Sequence, residues 1–193
     1  MPRTKQFDEK EVLQKAMELF WEKGFHATSI QDLVSHLGIN RASLYDTYGG
    51  KEELFDQAFQ YYRTTNGAIV KTLFEKESSV KKGLKVLFDK AIQQSVQDEC
   101  KKGCFVVNTA TELIPGDEAI HKALRDNTEN SQKLFIDYVQ KGIDAGEISS
   151  SKNAASIGLM LFTLYNGLQV LAKIETDPKK YRNMVEAGLS VLD

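Results

Sequence analysis

Four glycines, Gly24, Gly38, Gly49 and Gly50, cut the start of this chain into three short pieces, so no single long helix can form there. Each piece carries apolar residues at helical spacing. Over residues 8 to 23, Val12, Ala16, Leu19 and Phe20 share one face, widened by Leu13 and Met17. Gly24 stops that helix, and Phe25 can fold back onto it. Thr28 with Gln31 has capping-box spacing and is expected to open the second helix. Ile30, Leu33, Val34 and Leu37 form its buried side, and Gly38 ends it in a left-handed conformation. Asn40 caps a third helix, "RASLYDT", in which Leu44 and Tyr48 face inward.

Beyond the glycine pair, Lys51 opens a longer helical segment reaching about Phe74. Ser79 is a cap for the next, which runs through Leu84, Phe88, Ile92 and Val96. The apolar run "CFVVNTATELI" follows; its first five residues are the one stretch that could form a short strand. A helix from Asp117 to about Ala145, a broadly apolar one over residues 154 to 174, and a last one through Met184, Val185 and Leu189 complete the pattern. The expected fold is all-α: a three-helix head over residues 1–50 and a larger C-terminal helical bundle over 51–193, about nine helices in total.

Composition narrows the function. Formal net charge is −2, which excludes a strongly basic nucleic-acid coat; any DNA contact must come from a local patch. No stretch is expected to approach a membrane span of roughly 20 apolar residues. The start, "MPRTKQFDEK", has no apolar signal core, so a cytoplasmic protein is expected. Cys100 and Cys104 suit neither a disulfide framework nor a zinc site, and no metal or cofactor is implied.

Two short helices joined at Gly38 have the layout of a helix-turn-helix, whose second helix enters the major groove. Hydroxyls and backbone N–H groups can position such a helix on phosphates without many lysines. Thr28 and Asn40 stand at helix starts, where free N–H groups favour a phosphate, and Lys51 heads the fourth helix. Tyr45 and Tyr48 offer phenolic hydroxyls. Arg41, Ser43 and Thr47 are candidates to reach base edges or the adjacent backbone. Arg3 and Lys5 could add contacts from a flexible arm. Asp46 would repel phosphate unless it pairs with Arg41.

The runs "AMELFWEKGFHATSI" and "QDLVSHLGINRASLYDTYGGKEELFDQAF", residues 16 to 59, carry Phe20, Gly24, Thr28, Ile30, Leu33, Gly38, Leu44, Tyr45, Lys51 and Leu54 in order. This stretch resembles the TetR/AcrR family of bacterial transcriptional regulators. The resemblance implies a homodimer with paired heads on a double-stranded DNA operator, a ligand-responsive helical body, and repression. It implies phosphate contacts for Tyr45 and Lys51, and variable base-reading positions at Arg41, Ala42, Ser43 and Thr47. Two departures stand out. Gly50 takes the place of a serine or asparagine and gives up a side-chain acceptor, and Asp46 takes a position that is often basic or polar.

A sensor body needs a cavity. Its candidate walls are Phe88, Ile92, Val96, Phe105, Asn108, Glu112, Phe135, Tyr138, Phe162, Tyr165 and Gln169, a set suited to a small, largely apolar ligand with a polar handle. Cys104 follows Lys101 and Lys102 near a helix start, an arrangement that would lower a thiol pKa and allow redox sensing. Its apolar neighbours fit a small buried filler equally well. Ile157, Leu161, Leu164, Leu168 and Leu171, with Met184, Val185 and Leu189, are candidates for a four-helix dimer contact. Pairing would let two weakly charged heads bind through effective concentration. The alternatives are a helical interaction protein without DNA binding, and a thiol-dependent enzyme using Cys104 with His121.

Overall fold

The computed structural model describes residues 7–174 and 177–193. Among them are nine α-helices, a short 3-10 turn at Ser190–Leu192 and no strand. The head holds α1 (Glu9–Lys23), α2 (Ile30–Leu37) and α3 (Arg41–Tyr48). The body follows as α4 (Lys51–Lys76), α5 (Val80–Gln97), α6 (Phe105–Leu113), α7 (Glu118–Asp144), α8 (Ala154–Leu171) and α9 (Pro178–Leu189). The run "CFVVN", open to a strand reading, begins helix α6. Arg3 and Lys5 lie outside the described residues.

Local chemistry sets the helix ends. The Asp8 carboxylate accepts from the N–H of Lys10 and caps α1. At α2 the sequence expectation needs correction. Ser29, not Thr28, is the cap, and it forms a reciprocal capping box with Asp32 rather than Gln31. Thr28 is fully buried, and its hydroxyl donates to the Gly24 carbonyl at 2.6 Å. Hydrogen bonds from the Ser29 side chain and backbone, then from Lys23, hold the Asp32 carboxyl well below the usual aspartate range. Gly38 closes α2 at φ +67°, the left-handed region where a Cβ is penalised. Ser79 caps α5, and Glu147 from the α7–α8 connection accepts from the N–H of Val80 (2.7 Å) and Lys81 (3.0 Å).

Two apolar cores result. The first joins Phe20, Leu33, Leu44, Leu54, Phe55 and Phe59 to Phe105 and Leu113 of α6 and to Ile120 and Leu124 of α7. The second joins α4, α5, α7, α8 and α9 around Leu84, Phe88, Phe135, Val139, Leu161 and Leu168. Helices α7 and α8 approach closely at Gly158, where an added Cβ would lie 2.7 Å from the Cα of Ile136.

The expectation that no stretch approaches a membrane span is also corrected. By length and composition alone α8 qualifies, with a mean hydropathy of 1.4. It carries apolar residues on two sides. One side packs into the body; the other shows Leu159, Met160, Val170 and Leu171 at the surface.

Candidate nucleic-acid interface and effector cavity

Asn40 fixes the start of α3: its side-chain oxygen accepts from the N–H of Ser43 at 2.8 Å. Leu44 and Tyr48 then point into the core, so the opposite side of the helix must face out. Arg41, Ala42, Tyr45 and Asp46 are exposed, and Ser43 and Thr47 are half-buried beside them. The Arg41 guanidinium lies 5.7 Å from the centre of the Tyr45 ring. Among the described residues it makes no ion pair with Asp46. Tyr45 is 42% exposed, and its hydroxyl can reach an external acceptor or donor.

Two of the proposed contacts do not belong to this surface. Thr28 is buried, as described above. Tyr48 is 5% exposed, and its hydroxyl donates to the Glu9 carbonyl at 3.0 Å, tying α3 to the start of α1. Burial, then the Glu9 and Asp8 charges, push the Tyr48 phenol up to about 12, so it stays protonated as a donor. Lys51 is half-buried at the first position of α4, its ammonium 4.3 Å from the Phe25 ring centre. Gly50 before it has no side chain to cap α4, so it offers the first-turn N–H groups no acceptor of its own.

The resulting surface is a short helix with one open polar face, anchored by its other face, next to the start of a long helix. Comparison with known proteins identifies this arrangement. Residues 12–58 match the family model described as "Bacterial regulatory proteins, tetR family". Residues 81–187 match "Tetracyclin repressor-like, C-terminal domain". The HTH-type transcriptional regulator YezE of Bacillus subtilis (strain 168) is 34% identical over 194 residues, covering 100% of both chains. This chain belongs to the TetR family.

The HTH-type transcriptional repressor ComR of Escherichia coli (strain K12) is another relative of this TetR-family chain, 28% identical over 89% of the chain and 82% of ComR. Among solved structures, a cysteine mutant of the TetR family regulator CifR, complexed with a 26 bp operator, superimposes with a TM-score of 0.88. It is 28% identical and covers 99% of this chain and 100% of its own. These relatives of the TetR-family chain are named as regulators, not enzymes.

Among the described residues, two cavities of about 500 Å³ each adjoin helix α6 of this TetR-family chain. The central one lies among α4, α6, α7 and α8, with Val70, Val107, Leu124, Phe135, Phe162 and Tyr165 as apolar wall and Arg63, His121 and Asn166 as polar points. The second lies between head and body, against Met17, Trp21, Tyr61, Tyr62 and Gln169. Asn66, Cys104 and Tyr165 line both.

The expected walls are therefore partly wrong. Phe135, Phe162, Tyr165 and Gln169 line a cavity. Phe88, Ile92 and Phe105 are buried in the cores instead. Tyr138 stacks on Phe74 at 3.9 Å between ring centres and donates to the Ser79 carbonyl. Asn108 donates to the Lys102 carbonyl at 2.8 Å and accepts from Lys173 at 3.1 Å. Val96 is surface-exposed. Glu112 does not face a cavity: its carboxylate is hydrogen-bonded to the head. Sequence spacing held no signal for that contact, which spans 87 residues.

Cys104 is corrected as well. The N–H groups of Val106 and Val107 favour the thiolate, as a helix start should, but burial outweighs them and pushes the thiol pKa up. The residue keeps some accessible surface because it lines both cavities, yet its sulfur accepts from the Tyr62 hydroxyl at 3.9 Å within dense protein. In the native protein a charged disulfide reagent therefore modifies the exposed Cys100 on the order of tenfold faster than Cys104. Comparing labelling rates of Cys100→Ser and Cys104→Ser checks this; a fast-reacting Cys104 overturns it.

The dimer candidates divide in the same way. Ile157, Leu161, Leu168 and Val185 are buried within the chain and cannot form an outer surface. Leu164, Met184 and Leu189 are half-buried against the same core, and Leu164 fills the space beside Gly188. Leu171 is exposed, in line with Met160, Thr163, Gly167 and Ile174. That stripe, which spacing alone did not separate from the buried one, is the outward apolar face of the TetR-family body.

Proposed function

We propose that the protein is a transcriptional repressor that binds a palindromic operator as a homodimer and is released by a small, largely apolar ligand in the central cavity. One observation carries this reading. Helix α4 runs unbroken from Lys51, beside the open face of α3, to Arg63, Asn66 and Val70 in the cavity wall. Occupation of the cavity and the placement of the head thus act on one rigid element. A ligand that fits a different α4 position shifts the balance between head separations, and a coupling of about 1–3 kcal/mol suffices. The names of ComR, a repressor, and of the CifR cysteine mutant, complexed with operator DNA, support the same assignment.

Arg41, Ala42, Ser43 and Thr47 would meet base edges, while Asn40, Tyr45 and Lys51 hold phosphates. The exposed stripe of α8 would pair with its symmetry copy. Two heads on one body bind through effective concentration, which removes the need for a strongly basic surface, and affinity still falls with salt. An operator-binding role is in keeping with a cytoplasmic protein.

Selection of bound sequences from random DNA, repeated with candidate apolar effectors, tests the reading. A two-fold palindrome is expected, lost with an effector that fits; enrichment of no sequence overturns it. On the selected operator, Arg41→Ala costs about 1–3 kcal/mol per half-site and relaxes base preference, whereas Tyr45→Phe costs about 1 kcal/mol without changing preference. Titration by fluorescence anisotropy measures both; unchanged binding in both variants would mean the head is idle.

A further inference from the structure

Helix α6 lies between the central cavity and the head, and it is fastened to the head at both ends. At its start the Gly103 carbonyl accepts from the Trp21 indole N–H at 3.2 Å, and the Lys102 ammonium lies 5.0 Å from the Trp21 ring centre. At its finish the Glu112 carboxylate accepts two bonds from the turn between α1 and α2: Phe25 N–H at 3.0 Å and His26 N–H at 2.7 Å. One carboxylate oxygen serves each donor, a two-pronged, charge-assisted grip on backbone rather than on a movable side chain. The head is shaped to receive it. Gly24 has φ +87°, and an added Cβ there would lie 2.8 Å from the Glu112 Oε2. Any other residue at position 24 would push the carboxylate out.

The grip is not required to build the local helices. Helix α1 ends through its own Gly24 N–H bond to the Phe20 carbonyl, and α2 has its Ser29–Asp32 box. What Glu112 adds is a fixed relation between the α1–α2 turn and α6. Helix α6 in turn shows Val107, Ala110 and Thr111 to the central cavity.

We propose that Glu112 is a positioning residue for operator binding: its carboxylate sets the angle at which the head is held on the body, and so the distance between the two reading helices of a dimer. This rests on the operator-binding reading above. Glu112 touches no DNA; it acts through Phe25 and His26. Losing the grip leaves each head able to bind phosphate but lets the pair adopt a range of separations. The correctly spaced palindrome then loses its advantage over others.

The test uses the full-length chain, the palindrome selected by the wild type, and copies of it with the half-sites one or two base pairs nearer or farther. E112Q keeps the size of the side chain but turns one of its two acceptors into a donor facing an N–H. It is expected to weaken binding to the selected spacing about tenfold and to flatten the spacing preference, with affinity for non-specific DNA unchanged. Amide exchange at Phe25 and His26 rises in the same variant. Circular dichroism at the assay temperature confirms that the variant is folded, and E112D, too short to reach both donors, gives the same readout if E112Q is not. A purely structural role lowers the melting temperature yet leaves the spacing profile of the folded protein as in wild type; that result overturns the proposal. Failure of the wild type to select any palindrome overturns the operator reading first, and this one with it.

Discussion

Gly167→Arg is expected to yield a folded chain that has lost its partner and binds operator roughly 100- to 10,000-fold more weakly than wild type. Nothing lies within 4 Å of a Cβ added at Gly167, so the substitution does not disturb the chain's own packing. Leaving glycine in mid-helix favours α8 by about 0.5–1 kcal/mol. The arginine projects from the middle of the exposed stripe of Met160, Thr163, Leu171 and Ile174. On the proposed pairing of α8 with its symmetry copy, it sets two like charges across the two-fold axis and holds the partner helix away. Each head retains its own phosphate and base contacts, but the second binding event is no longer intramolecular. Sedimentation shows the monomer, circular dichroism the retained helix, and anisotropy the lost affinity. A dimeric variant with normal affinity would mean that the α8 stripe is not the interface.

Phe105→Ala has the largest expected effect on stability, about 3–5 kcal/mol. The side chain is 2% exposed, with ring centres 5.8 Å from Phe55, 5.5 Å from Phe59 and 5.5 Å from Tyr62, all in edge-on contact. These contacts contribute beyond apolar burial alone. For a chain of this size the loss lowers the melting temperature by on the order of 10 °C. Phe105 belongs to α6, whereas its neighbours belong to α4, whose start closes the head core. The same cavity thus loosens the head from the body, and operator binding falls at temperatures where helix content is still high. A melting temperature within a degree or two of wild type would show that the site collapses around the missing ring.

The helices and their breaks were legible because their signals are local. Asn40 beside Gly38, and apolar residues at three- and four-residue steps, need no knowledge of the rest of the chain. Failures came where a distant contact chose between equal local options. Thr28 and Ser29 are both good caps; Thr28 is buried with its hydroxyl donating to the Gly24 carbonyl, which left the task to Ser29. Tyr48 is a polar tip on an inward position, and the Glu9 carbonyl claimed its hydroxyl. In α8 apolar residues occur all round, so periodicity could not say that Leu161 and Leu168 are inside while Leu159 and Leu171 are outside. Glu112 was legible only as a polar residue on an apolar helix; its donors lie 86 and 87 residues away. The aromatic residues expected as walls divide between cavity and core, because a ring at helical spacing serves both alike.

The unbroken course of α4 has a geometric consequence. Its 26 residues span about 39 Å at 1.5 Å per residue. A tilt of about 5° at the far end carries the tip near Lys51 through roughly 3 Å, a quarter of the width of a major groove of about 12 Å. On the proposed mechanism the twin performs the mirror swing, doubling the mismatch. A boom without a joint needs little persuasion at its base to leave both blades out of their slots.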